Sequence, residues 1–231
     1  MKIALINNLY YPLEKGGAER VLHKITLELK SQGHCVFVIA SKPFFKNLST
    51  KDEVLVYRLN SIYYYLDKVP FFLRIFWHLW NAVNLINYFK IKNILKNEQP
   101  DIVMTHNLMG LGTLTVRSIR ALKIKHVHTL HDIQLIHPSG LVYLGEEAKL
   151  NNPFTLIYSK INAWLIGSPS LVISPSQWLL DSYKNKGFFK HSDLKVLLNP
   201  VEIASSKNKN KRKKNQLLFV GQIEDHKGIF T

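Results

Sequence analysis

The chain has 231 residues, 46% hydrophobic and 20% charged, and 31 Lys and Arg against 16 Asp and Glu give a formal net charge of +15. That composition excludes global disorder and allows a sizeable core. The charge excess implies anionic surroundings, which nucleic acid, an anionic membrane surface or a phosphorylated substrate would each supply.

Residues 2–7 (KIALIN) predict a buried first strand, and Asn7 and Asn8 break the apolar run too early for a signal peptide. A glycine-bearing loop follows, then Val21, Leu22, Ile25, Leu27 and Leu29 at helical spacing over about 19–31, with Gly33 as the cap. Strands are expected at 35–40 (CVFVIA) and 54–59 (VLVYRL). The lone cysteine, Cys35, excludes a disulfide framework and suits a reducing cell interior. Residues 71–96 predict a long helix or a bent pair, followed by a strand at 101–105, a helix over about 110–122 and a strand at 125–130. A helix at 154–166, a strand at 171–174, a helix from Ser176 to about 186 and a strand at 194–198 complete the series. Alternating helices and short strands that are apolar on both faces predict an α/β fold, a Rossmann-like parallel sheet with helices on both sides. No run approaches the 18 or so apolar residues of a spanning helix.

This domain covers 1–203. Residues 204–215 read as a basic linker, with Lys207, Lys209, Lys211, Arg212, Lys213 and Lys214 and no acid. Gln216–Val220 (QLLFV) reads as a fresh strand, so 216–231 is expected to be the truncated start of a second domain, completed by a partner chain or by residues not in this sequence.

In parallel α/β sheets, ligands bind beyond the C-terminal ends of the strands, and the polar clusters fall there. Gly16 and Gly17, lacking a Cβ, let a ligand approach backbone N–H groups at a helix N-terminus that favours anions; a simple turn is the alternative. The dinucleotide fingerprint G-x-G-x-x-G is absent, so no nicotinamide or flavin cofactor is expected. Thr105-His106-Asn107 ends one strand and Thr129-Leu130-His131-Asp132 the next, so both point into one crevice. His131 can exchange a proton or a hydrogen bond near neutrality, and Asp132 can orient it or hold a sugar hydroxyl. His126 and His128 fall on one sheet face and read as hydrogen-bonded structural residues, and no zinc spacing is present. Residues 63–80 carry Tyr63, Tyr64, Tyr65, Phe71, Phe72, Phe76, Trp77 and Trp80, near Arg74 and Lys90. A helix packed on the sheet explains this band, and so does an amphipathic surface resting on anionic lipid.

Taken together, GGAE at 16–19, THN at 105–107, TLHD at 129–132, VISPSQWLLDSY at 172–183, LLNPV at 197–201 and FVGQIEDHKG at 219–228 resemble glycosyltransferase family 4. The resemblance implies a retaining sugar transferase of the GT-B type, with two Rossmann-like domains and a cleft between them. It makes His131 the active-site histidine, with Asp132 beside it. Gly16, Gly17, His106, Asn107, Ser174, Ser176 and Asn199 would face substrate across the cleft. Gly221, Gln222 and Lys227 would hold the donor phosphates. The family usually has arginine where this chain has Gln222, and glutamine cannot neutralise a diphosphate. The implied donor is a nucleotide diphosphate-sugar, and the implied acceptor a glycan or lipid-linked hydroxyl. Neither metal nor cofactor is required, and the setting is cytoplasmic, on the membrane face. With only part of the second domain, the chain alone is expected to be inactive. The rivals are a noncatalytic acceptor-binding module or split-gene remnant, a sugar-nucleotide epimerase or oxidoreductase, and a nucleic-acid binder. The last is disfavoured because the densest basic run lacks regular aromatic interleaving and a docking element.

Overall fold

A computed structural model describes residues 1–14, 16–44, 54–142, 145, 147–201 and 218–221. Seven parallel strands form one sheet: β1 (Lys2–Ile6), β2 (Cys35–Lys42), β3 (Leu55–Asn60), β4 (Ile102–Thr105), β5 (Lys125–Thr129), β6 (Leu171–Ser174) and β7 (Asp193–Val196), in the order β3-β2-β1-β4-β5-β6-β7. The chain winds outward from β1 to β3, crosses back, and winds the other way from β4 to β7. The reversal falls between β1 and β4, where such sheets open a crevice at the strand ends.

Period-two alternation explains the layering. In β1, Ile3 and Leu5 join Leu22 of helix α1 (Gly17–Ser31) in one apolar cluster. Ala4 and Ile6 join the opposite cluster, built with α3 (Leu85–Glu98), α4 (Val116–Ala121), α5 (Pro153–Ile166) and α6 (Gln177–Asn185). Helices thus cover both faces, as expected, with α1 on one and α3–α6 on the other.

The expected 71–96 segment is a pair, α2 (Phe71–Ala82) and α3, and Asn84 makes the break because its side chain accepts the Asn87 N–H at 3.0 Å and caps α3. The expected helix at 110–122 is cut to a 3-10 turn (Thr113–Thr115) and the short α4. Gly110 and Gly112 sit at φ +82° and +95°, outside the helical region, so no helix can start before them. A Cβ at Gly110 would lie 2.5 Å from Ser61 Oγ and 2.8 Å from Tyr63 Cβ, so the close approach needs glycine.

Cys35 is exposed at the start of β2. Helix α2 packs on α5 and the 3-10 turn, leaving Leu73, Phe76 and Trp80 exposed. Leu218–Val220, the described part of the expected eighth strand, are exposed and pair with none of the seven. The linker 204–215, Gln216, Leu217 and residues 222–231 lie outside the described residues, Gln222 and Lys227 among them.

Candidate active site

The crevice is built by the segments that leave β1, β4 and β5. After β1, Asn7 Oδ1 accepts the Asn107 N–H at 2.9 Å, while the Asn8 N–H donates to the Asn107 carbonyl at 2.7 Å. These bonds lock the first loop to the end of β4. The loop then reaches α1, where the Gly16 N–H donates to Glu19 Oε2 at 2.8 Å, a capping contact in the first turn. Gly16 and Gly17 are exposed, and a Cβ at Gly17 would meet nothing within 4 Å. The fold therefore makes no demand for glycine at position 17.

His106 and His131 meet directly. His106 Nδ1 and His131 Nε2 are 2.9 Å apart, with the rings stacked at 5.2 Å and 19°. His106 Nε2 is buried without a partner. A buried bare nitrogen costs less than a buried orphan N–H, so the proton sits on His106 Nδ1 and donates to His131 Nε2. His131 then carries its own proton on Nδ1, turned away from His106 as a donor. Burial holds His106 well below the usual histidine range and His131 down to about 4, so both are neutral at pH 7.

Asp132 does not orient the imidazole, as the sequence had allowed; His106 does. The Asp132 carboxylate accepts from the Gln134 N–H at 2.8 Å and from Asn107 Nδ2 at 3.4 Å. Burial pushes its carboxyl up to about 6, the Gln134 N–H opposes the shift, and the negative Glu19 reinforces it. Burial also raises the Tyr63 phenol, with the fields of Glu19 and then Asp132 adding to it. Because Asn107 also bonds Asp132, the Asn7 and Asn8 bonds to Asn107 bring the start of the glycine loop to the end of the histidine pair. Tyr183 supports the floor: its hydroxyl donates to the Asp132 carbonyl at 3.0 Å. The hollow lined by His106, His131, Asp132, Gln134 and Tyr183 is about 20 Å³, room for a water molecule.

Other candidates sit apart. Ser174 is buried and its Oγ donates to the Ser176 carbonyl at 2.8 Å; Ser176 Oγ accepts the Leu179 N–H at 3.2 Å and caps α6. Both hydroxyls serve their own turn. Asn199 is exposed beyond β7, the edge strand, and Gly221 is exposed with no described contact to the rim. His126 Nε2 and His128 Nδ1 flank Thr105 Oγ1 at 2.7 and 2.8 Å, a structural triad on one sheet face. Among the described residues, no three His, Cys, Asp or Glu side chains gather to hold a metal. Glu19, Gln134 and Tyr183 had not been singled out for the site; the E of GGAE was the one sequence signal for Glu19.

A family model described as Glycosyltransferase Family 4 matches residues 15–205. The chain belongs to glycosyltransferase family 4. It is 27% identical over 235 residues to an uncharacterized 42.6 kDa protein in the cps region of Klebsiella pneumoniae, covering 99% of this chain and 63% of that protein. It is 28% identical over 155 residues to the alpha-monoglucosyldiacylglycerol synthase of Streptococcus pneumoniae, covering 62% of this chain and 32% of the synthase. The chain thus spans less than two thirds of either relative. Two solved structures share the fold. Sucrose-phosphate synthase from Thermosynechococcus elongatus has a TM-score of 0.51 at 14% identity, over 85% of this chain and 47% of that one. The E. coli trehalose-6-phosphate chain bound with UDP-2-fluoro glucose has a TM-score of 0.54 at 13% identity, over 87% and 49%. The fold of this glycosyltransferase family 4 chain is Rossmann-like and of the GT-B type.

Proposed function

We propose that the rim formed by Gly16–Gly17, His106–His131 and Asp132 is the acceptor side of a retaining glycosyl transfer. The donor is a nucleotide diphosphate-sugar, and the acceptor is a hydroxyl of a lipid-linked or polysaccharide molecule at a membrane surface. The observation that carries this reading is the neutral His106–His131 pair beside Asp132, tied through Asn107 to the loop that leads to the glycines.

In this scheme the diphosphate approaches Gly16–Gly17 and the N-terminus of α1, where N–H groups and the missing side chains favour an anion. Gly221, Gln222 and Lys227 would grip it from the opposite wall, with Asn199 at the hinge and Ser174 and Ser176 at the flank. The sugar C1–O bond to phosphate breaks and positive charge grows on the ring. The acceptor oxygen bonds to C1 on the same face, and its proton passes to the leaving phosphate oxygen. His131 Nδ1–H donates to a sugar or phosphate oxygen, and its low basicity keeps it from taking the acceptor proton. Asp132 accepts from the acceptor hydroxyl and holds it on the leaving-group side of C1. Exclusion of water by the second wall limits hydrolysis of the donor.

The acceptor assignment draws on the relatives, one in a cps region and one a synthase of a glucosylated diacylglycerol. The exposed Phe76, Trp80, Ile86 and Phe89, flanked by Lys90 and Lys160, support a membrane surface.

A second reading, an acceptor-binding module, is favoured by the single crevice wall among the described residues. Saturation-transfer NMR on this chain with membrane-extracted lipid acceptors, paired with a turnover assay, separates the two. The proposal expects acceptor binding that Asp132→Ala weakens, and turnover only when a nucleotide-binding wall is added. Binding without turnover under that addition supports the module, and no Asp132-dependent binding contradicts both.

A further inference from the structure

Beside the histidine pair lies a groove of about 630 Å³, within the range of small-molecule sites. It joins the rim through Gln134, which borders both hollows. Leu66, Met109 and Phe154 give it an apolar wall, and Arg74 with the neutral rings of His78 and His137 gives it a polar one with a single positive charge. The residues that line it include no Asp or Glu.

The polar wall is incompletely used. Arg74 Nε and Nη2 donate to the Val69 and Asp67 carbonyls at 2.8 and 2.9 Å, and Nη1 makes no bond among the described residues. Those two bonds fix the guanidinium in place. His78 Nδ1 is buried with no partner. The buried, unpartnered His78 Nδ1 is costly until a ligand bonds it, and the free Nη1 of the anchored Arg74 favours an anionic one. A free glycan would leave the apolar wall unmatched, and a neutral lipid would leave Arg74 and His78 unmatched.

We propose that this groove seats the carrier of the acceptor, a hydrocarbon chain ending in a phosphate. The chain lies on Leu66, Met109 and Phe154, the phosphate binds Arg74 and His78, and the glycan attached through that phosphate projects the hydroxyl to be glycosylated past Gln134 to Asp132. The inference rests on the reading of the rim as a sugar-transfer site, and its test needs no transfer.

The sequence has three methionines, which makes methyl-labelled methionine NMR direct: Met109 borders the groove, Met104 lies in β4, and Met1 is terminal. Octyl phosphate should shift the Met109 methyl saturably and leave Met1 and Met104 in place. Inorganic phosphate alone should shift nothing, and octyl glucoside should bind at least tenfold more weakly than octyl phosphate. Arg74→Gln should weaken octyl phosphate roughly tenfold, as expected for a charge-assisted bond. Leu66→Trp, which fills the groove, should abolish binding. An unchanged Met104 methyl reports that each variant is folded; if Arg74→Gln fails to fold, Leu66→Trp and the octyl glucoside arm decide. No Met109 response, or equal affinity for octyl glucoside and octyl phosphate, overturns the proposal. Sugar transfer without a Met109 response would sink this inference alone, and a Met109 response without transfer would sink the rim reading alone.

Discussion

His131 and Asp132 are adjacent, and burial acts on them in opposite directions. It drives the imidazole to give up its proton and the carboxyl to keep one. For Asp132 the folded value is about 6 against an unfolded value of 3.8. Between pH 4 and 6 the folded state holds a proton that the unfolded chain has released. Stability from this group therefore falls as pH rises through that window and stays lower above it, by about 3 kcal/mol. Asp132→Asn should match wild type near pH 4 and exceed it by about 2–3 kcal/mol at pH 7 in urea unfolding, while losing acceptor binding. A variant no more stable at pH 7 would show that Asp132 is not strained. The sequence made His106, His131 and Asp132 legible as strand-end polar groups. It could not show that His131 leans on His106, because that contact depends on how β4 and β5 align: Thr105 faces His128, which brings the residues just beyond them together. The serines at 174 and 176 misled for a related reason: small hydroxyls at a strand end cap helices as readily as they bind sugars.

At the scale of elements, apolar runs of four to eight residues located the strands, and the glycines marked the loops. Helix α2 was not decidable, since a dense aromatic face looks the same buried or exposed. The structure leaves Phe76 and Trp80 in solvent, beside Ile161 of α5, and neither α2 nor α5 carries an acidic residue. An apolar face flanked by Lys90 and Lys160 should bind anionic lipid, and more weakly in salt. Trp80 is exposed, so Trp80→Glu should leave stability within about 0.5 kcal/mol. It should also lower co-sedimentation with phosphatidylglycerol liposomes several-fold at low salt. Equal sedimentation of variant and wild type would remove α2 from the membrane contact.

Across the whole molecule, six histidines are held down mainly by burial: His78 and His131 to about 4, His126 to about 3, His106 and His128 well below the usual value, and His137 below it. Each is neutral when folded and takes up a proton on unfolding below pH 6.5. Each therefore costs about 1.4 kcal/mol per pH unit as pH drops from 6.5 toward its folded value. Asp132 opposes this with one group against six. Unfolding midpoints should be flat from pH 7 to 8 and drop steeply between pH 6.5 and 5; a flat profile to pH 5 would mean that the histidines are solvated. The parallel α/β order was readable because each strand–helix repeat carries its own pattern. The switch between β1 and β4, which places the crevice, arises from long-range pairing that no local pattern encodes.

The central claim is that the glycine loop, the histidine pair and Asp132 form one side of a sugar-transfer site. It is tested most directly by an anomer-resolved transfer assay with a nucleotide diphosphate-sugar, using this chain together with a nucleotide-binding wall, as wild type and as His131→Ala. The account predicts a product of retained configuration and a loss of at least about 100-fold in the variant, the scale of removing one preorganised donor at developing charge. An inverted product, or a His131→Ala protein as fast as wild type, would contradict it.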